Sequence, residues 1–534
     1  MENRSPAAEM PDAAKDSIKN GVRTISVMMA LVLVAKLSGF VREIVTMRLM
    51  GTTPESQAFT LALTIPQNFL DVAFAAAISA SFIPVFNSYL EKKSRQEAFD
   101  VANNFITFVI ILSFLASLIG FFAADAIASA FLAGGGVQTA DMAAQLLRIL
   151  IFIVFTTTTA FALTGVLQSL GGFYVPSIMS LVPNVLVLAY LALFFEQIGV
   201  FGLAAAFIVG NILKLAILLP PLHKRGFHFR PRLNLRDTAL RQILRLSPMF
   251  LISAWLFPIN NLVHSWVIPN RYNPEALVEL RAANTIYLVL TGFFVLSVTN
   301  VLFPKLSREA AKESMGAKSD FSEVLSGTIS AVTFFLIPMA VGLWILREPI
   351  ARLAFFGGNF SEASAAQVAY ALGFLSLGML GFGLTTLLSR AFFAVMNGKI
   401  PMITSVAAIA INFVASMVLV NYLGIGGVAL AQTISVTGAG FAMFVIISRK
   451  HPVFTRKVAS NLLKMCVAAA IMAVVSFGIM HLMEGMLYVA VIGVISLQGI
   501  IIYFIVGIAL GINEAKTAKG LLLARFDTNL RSKR

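Results

Sequence analysis

Four charged side chains lie inside one apolar run near the start of the chain. Lys36, Arg42, Glu43 and Arg48 all fall between about residue 24 and about residue 50, a run long enough to cross a bilayer. A charge near the centre of a bilayer costs roughly 3 kcal/mol, so such residues normally face a helix bundle or a water-filled cavity. Three of the four are basic, which predicts a wet, net positive cavity that receives an anion.

The spacing of these charges predicts different roles for them. On a helix that turns by about 100° per residue, Lys36 and Glu43 lie almost in line and are expected to pair or nearly so. Arg42 points about 100° away from that line and is the best candidate for binding a ligand. Arg48 lies near the end of the run and is expected to anchor at the interface. The alternative is an internal ion network that holds spans together.

The second apolar run adds polar groups. Gln57, Asn68 and Asp71 lie within it, and Asp71 is a candidate counter-ion for Arg42 or Lys36. All three are predicted to contribute to the substrate site. For Asn68 the alternative is helix capping or a hydrogen bond between spans.

In the second half of the chain the candidate site residues are polar but uncharged. They are Asn260 and His264 in one predicted span and Asn284 in the next, with Asn261 and Asn412 as further amides. Amides in membrane helices often bridge neighbouring helices, which is the alternative reading of this set.

No pattern of catalytic residues stands out. Gly134-Gly135-Gly136 is not followed by Lys and Ser or Thr, so it is not a phosphate loop. The five histidines are scattered, which argues against a metal site, and no cofactor motif is found. The chain is therefore predicted not to be an enzyme, and to use neither metal nor cofactor.

Composition places the whole chain in a membrane. Of its 534 residues 58% are hydrophobic and 12% charged, with a mean hydropathy of +0.87, which excludes a soluble globular domain. The fold class predicted is an all-α polytopic membrane protein with 14 transmembrane helices. The predicted spans are about 24–49, 57–87, 99–124, 142–169, 176–196, 199–221, 241–268, 276–304, 322–345, 363–395, 401–421, 425–449, 458–482 and 486–511.

The distribution of Lys and Arg orients these spans. The tails and the loops on one face hold 29 Lys and Arg, against 4 on the other face. By the positive-inside rule both termini are predicted to be cytoplasmic, in the cell (inner) membrane. The same rule explains the net charge of +15 without a nucleic-acid partner.

An internal repeat divides the spans into two lobes. Pro176 and Pro401 each open a span after a glycine-containing turn, and at the same offset of 225 Gly199 matches Gly424. The repeat predicts two parallel-related six-helix lobes plus two C-terminal helices, with a substrate path between the lobes. The predicted segments are a cytoplasmic tail (1–22), an N-lobe (23–221), a basic cytoplasmic linker (222–240), a C-lobe (241–449), spans 13 and 14 (450–511) and a basic cytoplasmic tail (512–534).

Several motifs resemble those of one known family. Lys-Leu-Ser-Gly-Phe-Val-Arg-Glu at 36–43, Phe-Ile-Pro-Val-Phe at 82–86, Phe-Phe-Gly-Gly-Asn-Phe at 355–360 and Gly-Ile-Gly-Gly-Val-Ala-Leu-Ala at 424–431 resemble the MurJ/MviN family of the MOP superfamily. Each motif alone is weak, but their order and spacing are fairly specific and run over essentially the whole chain.

The resemblance implies a lipid II flippase. Such a protein turns the undecaprenyl-diphosphate-linked peptidoglycan precursor from the inner to the outer leaflet by alternating access. It further implies that Lys36 and Arg42 bind the diphosphate and that Glu43 fills the family's acidic position. The partners implied are this lipid-linked glycan, membrane lipids and other proteins of cell-wall synthesis.

The chain also departs from the family pattern. Gln57 stands where many relatives have Asp, Leu70-Asp71 where they have Arg-Arg, and Asn284-Thr285 where they have Asp-Arg. His264 stands where an acidic residue is sometimes found. Three alternatives follow: a paralogous flippase for another lipid-linked oligosaccharide, a multidrug antiporter, which the basic cavity disfavours, and a non-transporting membrane scaffold.

Overall fold

The computed structural model describes residues 12–68, 81–453 and 455–520, and these residues are almost entirely helical. The helices before the basic linker are α1 (Asp12–Met50), α2 (Pro54–Pro66), α3 (Ile83–Lys92), α4 (Arg95–Phe122), α5 (Ala124–Phe131), α6 (Val137–Leu150), α7 (Ile153–Ser169), α8 (Tyr174–Ile178), α9 (Leu181–Leu193), α10 (Phe195–Ala216) and α11 (Leu219–Lys224). Those after it are α12 (Thr238–Ala254), α13 (Leu256–Arg271), α14 (Glu275–Ser314), α15 (Phe321–Phe355), α16 (Glu362–Leu377), α17 (Met379–Ala394), α18 (Lys399–Leu423), α19 (Ile425–Lys450), α20 (Arg456–Leu482) and α21 (Tyr488–Ala509).

Side-chain caps start several of these helices. The hydroxyl of Thr53 accepts a hydrogen bond from the Ser56 N–H at the start of α2, where Pro54 has no N–H to satisfy. Ser361 caps α16 through the Ser364 N–H in the same way. These caps fix where the polypeptide turns between consecutive helices.

The structure supports a multi-pass membrane protein. Nine helical segments of the described residues are long and apolar enough to cross a membrane, and the pair α16 and α17, bent by 48°, makes a tenth. They correspond to ten of the fourteen predicted spans, so the count of fourteen is not confirmed. Of the others, the first lies in the charged part of α1, the second runs partly outside the described residues, the seventh breaks between α12 and α13, and the eighth lies in α14.

Packing divides the chain into two units. The first comprises the described residues of Met1–Val45, Ala77–Phe121 and Ile149–Arg245. Its core contains stacked rings: the centroid of Phe82 lies 5.4 Å from that of Phe86 and 4.5 Å from that of Phe105. These contacts join α3 to α4.

The second unit comprises the described residues of Thr46–Ala76, Phe122–Arg148 and Leu246–Arg534. One of its cores joins α15 to the last two helices, with the ring centroids of Phe334 and Tyr503 5.2 Å apart and Met465 fully buried beside them. These are packing units with bounds of their own, and the two predicted lobes remain a prediction.

The glycines matched by the repeat share an unusual backbone conformation. Gly199 breaks α10 with φ 71° and ψ −150°, and Gly424 separates α18 from α19 with φ 53° and ψ −131°. Side chains with a Cβ rarely adopt such a positive φ, so both positions favour glycine. A sequence offset thus corresponds to the same local geometry in both halves of the chain.

Candidate functional site

Arg42 is held in a fixed position within the first unit. Its Nη1 donates to Oδ1 of Asn184 on α9 at 3.0 Å, and its Nη2 donates to Oε2 of Glu43 at 3.1 Å. Its guanidinium carbon lies 4.9 Å from the ring centroid of Phe207 on α10. The Arg42 side chain is 15% exposed and that of Glu43 10% exposed. Three neighbours therefore orient a partly buried guanidinium.

Asn184 also binds the backbone of α1. Its Nδ2 donates to the Ala35 carbonyl at 3.2 Å and to the Ser38 hydroxyl at 3.0 Å. A Cβ added at Gly39 would lie 3.2 Å from this nitrogen, so a glycine here lets α9 approach α1 closely. The Ser-Gly pair in the first span thus makes room for the residue that holds Arg42.

Lys36 lies on the same helix but makes no such contacts. Its side chain is exposed and has no hydrogen bond or ion pair within the described part of the chain. The predicted pairing of Lys36 with Glu43 is therefore not formed. Glu43 instead binds its immediate neighbour, Arg42, which can reach it without crossing two helical turns. The Lys36 ammonium is left available for a ligand.

Arg48, which was predicted to anchor at the interface, forms hydrogen bonds to backbone carbonyls in the structure. Within the second unit, its Nε donates to the Ala354 carbonyl at 2.8 Å and its Nη2 donates to the Leu353 carbonyl. Both carbonyls lie in the last turn of α15, where the backbone lacks helical partners and favours a positive charge. Arg48 therefore caps a helix far away in the sequence.

Further bonds extend this contact, which we call the 48–364 junction (residues 48–52 with residues 353–364). The Asn359 N–H donates to the Arg48 carbonyl at 2.8 Å, and Asn359 Nδ2 donates to the Leu49 carbonyl at 2.7 Å. The hydroxyls of Thr52 and Ser364 lie 3.5 Å apart. The end of α1 is thus bonded to the segment that joins α15 to α16.

The two predicted residues of the second span that the structure describes, Gln57 and Asn68, have hydrogen-bond partners in the protein. Buried Gln57 donates from Nε2 to the Thr52 carbonyl at 2.9 Å. Asn68 Oδ1 accepts a hydrogen bond from Asn261 Nδ2 at 3.2 Å, which is the alternative role expected for it. Asp71, like Leu70, lies outside the described residues.

A buried polar cluster joins α13 to α18 in the second unit. His264 Nε2 lies 3.1 Å from Asn412 Nδ2 and 3.3 Å from Asn412 Oδ1, and the Ser416 hydroxyl donates to Asn412 Oδ1 at 3.4 Å. One turn before His264, Asn260 is 1% exposed, and its amide has no hydrogen-bond partner among the described residues. Two predicted site residues therefore lie on one helix face, directed into protein.

Asn284 forms a second bridge between helices. Its Oδ1 accepts a hydrogen bond from Gln432 Nε2 at 3.1 Å, and both side chains are buried. This contact joins α14 to α19. The bridging role considered for these amides is thus found in the structure.

The sequence reasoning missed a buried lysine. Lys214 on α10 lies with its Nζ 3.3 Å from the Thr157 hydroxyl, 3.4 Å from Asn211 Oδ1 and 5.3 Å from the Phe161 ring centroid. A charge in an apolar span was the signal that could have revealed it. Among the described residues, no group of three or more His, Cys, Asp or Glu could hold a metal ion.

A family model described as lipid II flippase MurJ matches residues 46–497, most of the chain. The chain belongs to the MurJ family. This confirms the resemblance drawn from the motifs. A flippase is a transporter, so the prediction that the chain is not an enzyme is also confirmed. Membership implies a lipid-linked glycan substrate in the membrane.

Probable lipid II flippases MurJ from other bacteria are similar to this chain over most of their length. A probable lipid II flippase MurJ of Vibrio cholerae is 29% identical over 441 residues, covering 79% of this chain and 81% of that protein. The probable lipid II flippase MurJ of Rhizobium tropici is 24% identical over 502 residues, covering 89% of this chain and 92% of that protein. These MurJ relatives and the apolar segments indicate a multi-pass inner-membrane protein.

Solved structures show the fold. A lipid II flippase MurJ in an inward closed conformation superposes with a TM-score of 0.77 at 21% identity, covering 90% of this chain and 98% of that one. An inward-facing MATE-family multidrug resistance transporter of the MOP superfamily superposes with a TM-score of 0.63 at 16% identity, covering 78% of this chain and 94% of that one. The chain therefore has the all-helical MurJ fold, related to that of MATE transporters.

Proposed function

We propose that this chain moves lipid II from the inner to the outer leaflet of the cytoplasmic membrane by alternating access. The match of the MurJ family model over residues 46–497 carries the proposal. Both termini are taken to be cytoplasmic, as the distribution of Lys and Arg predicts.

The diphosphate of the substrate binds at Arg42 and Lys36, in a basic cavity lined by α1. A guanidinium is planar and presents paired N–H donors that match phosphate oxygens, and Asn184 and Phe207 orient the one on Arg42. Glu43 offsets one positive charge, so the exposed Lys36 restores a net positive charge to the group. Lys36 is the first contact for the anion and Arg42 the second.

The other predicted site residues support the helices. Gln57, Asn68, His264 and Asn284 form hydrogen bonds to neighbouring protein atoms, and Asn260 is buried beside them. We therefore assign them to holding the helices that surround the substrate path, and Asp71 keeps its predicted place near the basic pair.

The 48–364 junction closes the external side. In the predicted topology, the end of α1 and the segment between α15 and α16 both lie on the external face. The bonds from Arg48, Asn359 and Thr52 must break before that side opens. Carrying an anion outward is helped by the membrane potential, by about 2.3 kcal/mol per charge per 100 mV, so the cycle needs no separate acid relay.

The test is complementation together with binding. In a flippase-depleted cell, Arg42→Ala should fail to restore growth while remaining folded in the membrane, and Asn421→Ala should complement fully. Asn421 is exposed and, among the described residues, bonds only to the backbone of its own helix, so it is a matched surface control. Full complementation by Arg42→Ala would remove α1 from the mechanism.

Binding separates lipid II from other lipid-linked glycans. The purified protein should bind lipid II in preference to undecaprenyl-diphosphate linked to other sugars, and Arg42→Ala should weaken both. An equal affinity of the wild type for all of them would favour the paralogous flippase, which the departures at Gln57 and Asn284 first suggested.

A further inference from the structure

The chain after α11 forms a two-faced extended segment within the first unit. From Phe229 the sequence reads Phe-Arg-Pro-Arg-Leu-Asn-Leu-Arg, with apolar residues at 229, 231, 233 and 235 and polar residues between them. This is the period of a strand with one apolar face. Phe229, Leu233 and Leu235 are 37%, 48% and 57% exposed. The described residues of the chain do not cover the apolar face.

Side chains of α4 hold the backbone of this segment. The N–H groups of Arg230, Arg232 and Asn234 donate to Asn103 Oδ1 at 3.0 Å, Thr107 Oγ1 at 3.1 Å and Asn104 Oδ1 at 2.8 Å. Asn104 Nδ2 also donates to the Asn234 carbonyl at 3.0 Å. Alternate N–H groups that point to one side are the pattern of an extended chain, so residues 229–234 form a ribbon along α4.

Two side-chain contacts anchor the ribbon to the start of α4. Phe227 lies two residues before Phe229. It is buried in the core, with its ring centroid 5.4 Å from that of Phe99. On the other face, Arg232 Nη1 donates to Asp100 Oδ2 at 2.8 Å. Asp100 lies nearer the polar start of α4 than the residues that hold the ribbon. Phe99 and Asp100 both lie near the polar start of α4, so these contacts fix the segment to that end of the helix and leave Phe229, Leu233 and Leu235 exposed beyond them.

The ribbon lies beside the part of α4 where the helix changes from mostly polar to mostly apolar residues. Residues 95–104 of this helix are largely polar or charged, and from Phe105 onward it is apolar and counts among the membrane-crossing segments. The holding residues, Asn103, Asn104 and Thr107, straddle this change. A segment at the polar-to-apolar boundary of a membrane helix is expected at the membrane–water interface, where exposed apolar side chains can meet acyl chains and arginines can meet headgroups.

The charge of the segment matches an anionic surface. Residues 222–245 contain seven Lys and Arg against one acidic residue, Asp237. The guanidinium groups of Arg230 and Arg236 have no hydrogen bond or ion pair within the described part of the chain, whereas those of Arg232 and Arg241 bind Asp100 and the Leu235 carbonyl. Two guanidinium groups are thus available beside an exposed apolar face.

We infer that the ribbon (residues 229–234) and the turn residues Leu235 and Arg236 that follow it form a docking site for anionic phospholipid. The apolar face enters the boundary of headgroups and acyl chains, and Arg230 and Arg236 pair with headgroup phosphates. The inference requires only that the chain lies in a membrane, and it does not depend on which substrate is transported.

The test places a fluorescent probe on the apolar face. In a Cys466→Ser background, Leu233→Cys is labelled with an environment-sensitive dye on the full-length protein in neutral detergent, and short-chain phosphatidylglycerol is titrated in. The emission should shift to the blue at a much lower concentration than with short-chain phosphatidylcholine. A probe at His228→Cys, on the opposite face, should stay open to a neutral aqueous quencher.

Charge removal tests the arginines. Arg230→Gln with Arg236→Gln should raise the phosphatidylglycerol midpoint by about fivefold for each arginine, hence about 25-fold for the pair. The matched control, Lys318→Gln with Arg449→Gln, removes two exposed charges, one from a loop and one from the last turn of α19, and should change the midpoint little. Unchanged thermal unfolding of both double variants shows that the fold is kept.

Four outcomes would overturn the inference. These are equal midpoints for phosphatidylglycerol and phosphatidylcholine, an unchanged midpoint in Arg230→Gln/Arg236→Gln, full competition by free glycerol phosphate, which would indicate a phosphate site without a membrane requirement, and a Leu233 probe that stays quenchable at saturating lipid, which would leave the apolar face for a protein.

Discussion

Asn184 holds the guanidinium of Arg42 with one end of its amide and the backbone of α1 with the other. Its Oδ1 accepts from Arg42 Nη1 at 3.0 Å, while its Nδ2 donates to Ala35 and Ser38. The amide therefore fixes both the helix and the charged group that the helix carries. An anion at Arg42 meets a guanidinium that is already oriented.

This relationship predicts that Asn184→Ala lowers transport without removing it. A hydrogen bond to a charged group typically contributes about 1.5 to 3 kcal/mol, so we expect transport of fluorescent lipid II in proteoliposomes to fall about tenfold or more. Arg42→Ala should lose nearly all activity, and Asn421→Ala should keep wild-type activity. If Asn184→Ala matched the wild-type rate, orientation by this amide would not matter.

Replacing Lys36 should weaken substrate binding without affecting folding. Because it has no partner within the described residues, Lys36→Ala should leave the melting temperature in detergent unchanged while reducing lipid II binding. Losing one cation from an anion site should weaken binding by about 1 kcal/mol or more, roughly fivefold. Lys318→Ala, an exposed lysine in a loop, is the control. A lower melting temperature with intact binding would indicate a structural role instead.

Locking the 48–364 junction should stop transport reversibly. In a Cys466→Ser background, Thr52→Cys with Ser364→Cys places two thiols where hydroxyls now lie 3.5 Å apart, within reach of a disulfide. Oxidation should abolish transport and a reductant should restore it, as measured in proteoliposomes. Each single cysteine alone should be insensitive to oxidant. Normal transport by the fully cross-linked protein would show that the junction need not open.

The buried bridge between α13 and α18 should show energetic coupling. His264→Ala and Asn412→Ala should each destabilise the protein, with a coupling free energy of about 0.6 and at most about 1.7 kcal/mol, because bonds between membrane helices have this range. Unfolding in a denaturing detergent measures it. Asn412→Ala combined with His481→Ala, an exposed histidine in the last turn of α20, should be additive. Zero coupling for His264 and Asn412 would mean that their contact contributes nothing to stability.

His451 predicts a pH dependence of stability. It lies in a loop between Phe321, with ring centroids 4.8 Å apart, and Glu313, whose Oε2 is 3.7 Å from Nδ1. Burial lowers the pKa of His451, and the charge of Lys450 lowers it further against the opposing effect of Glu313. The folded state then holds this proton less tightly than the unfolded state. Its contribution to stability is present above the unfolded pKa of about 6.5 and is lost as the pH falls.

The check is the melting temperature between about pH 5 and about pH 7, the range in which an ordinary histidine titrates. The wild type should lose stability towards the acid end, and His451→Gln should lose less. His481→Gln, which also removes one histidine, should keep the wild-type slope. A wild-type slope in His451→Gln would rule out this group as the source.

Hydropathy and charge were enough to predict a helical membrane protein with an unusual first span, but not the partners of its charges. Asn184 lies far from Arg42 in sequence, and no local pattern connects them. The predicted ion pair between Lys36 and Glu43 is not formed, because their spacing places both side chains on one face of the helix without bringing them into contact. Seven residues separate them by about 10 Å along the axis, and Arg42 is adjacent.

The same limit applies to Arg48 and to the second-half amides. A sequence shows that Arg48 ends a span, but only the fold brings the carbonyls of Leu353 and Ala354 to it. For Asn284 and Asn68 the residue types allowed either ligand binding or bridging. In the structure each of these amides forms a hydrogen bond to another amide that only the fold brings within reach.

The amide and hydroxyl groups by which α4 holds the linker bind only the linker backbone. Asn103, Asn104 and Thr107 bind main-chain groups of residues 230, 232 and 234 and ignore what those residues carry as side chains. Apart from the side-chain contacts of Phe227 with Phe99 and of Arg232 with Asp100, the composition of the segment can therefore change without loss of these bonds, with one exception. Proline is tolerated at 231, where it already stands, and at 233, but at 230, 232 or 234 it would delete the N–H by which the segment is held.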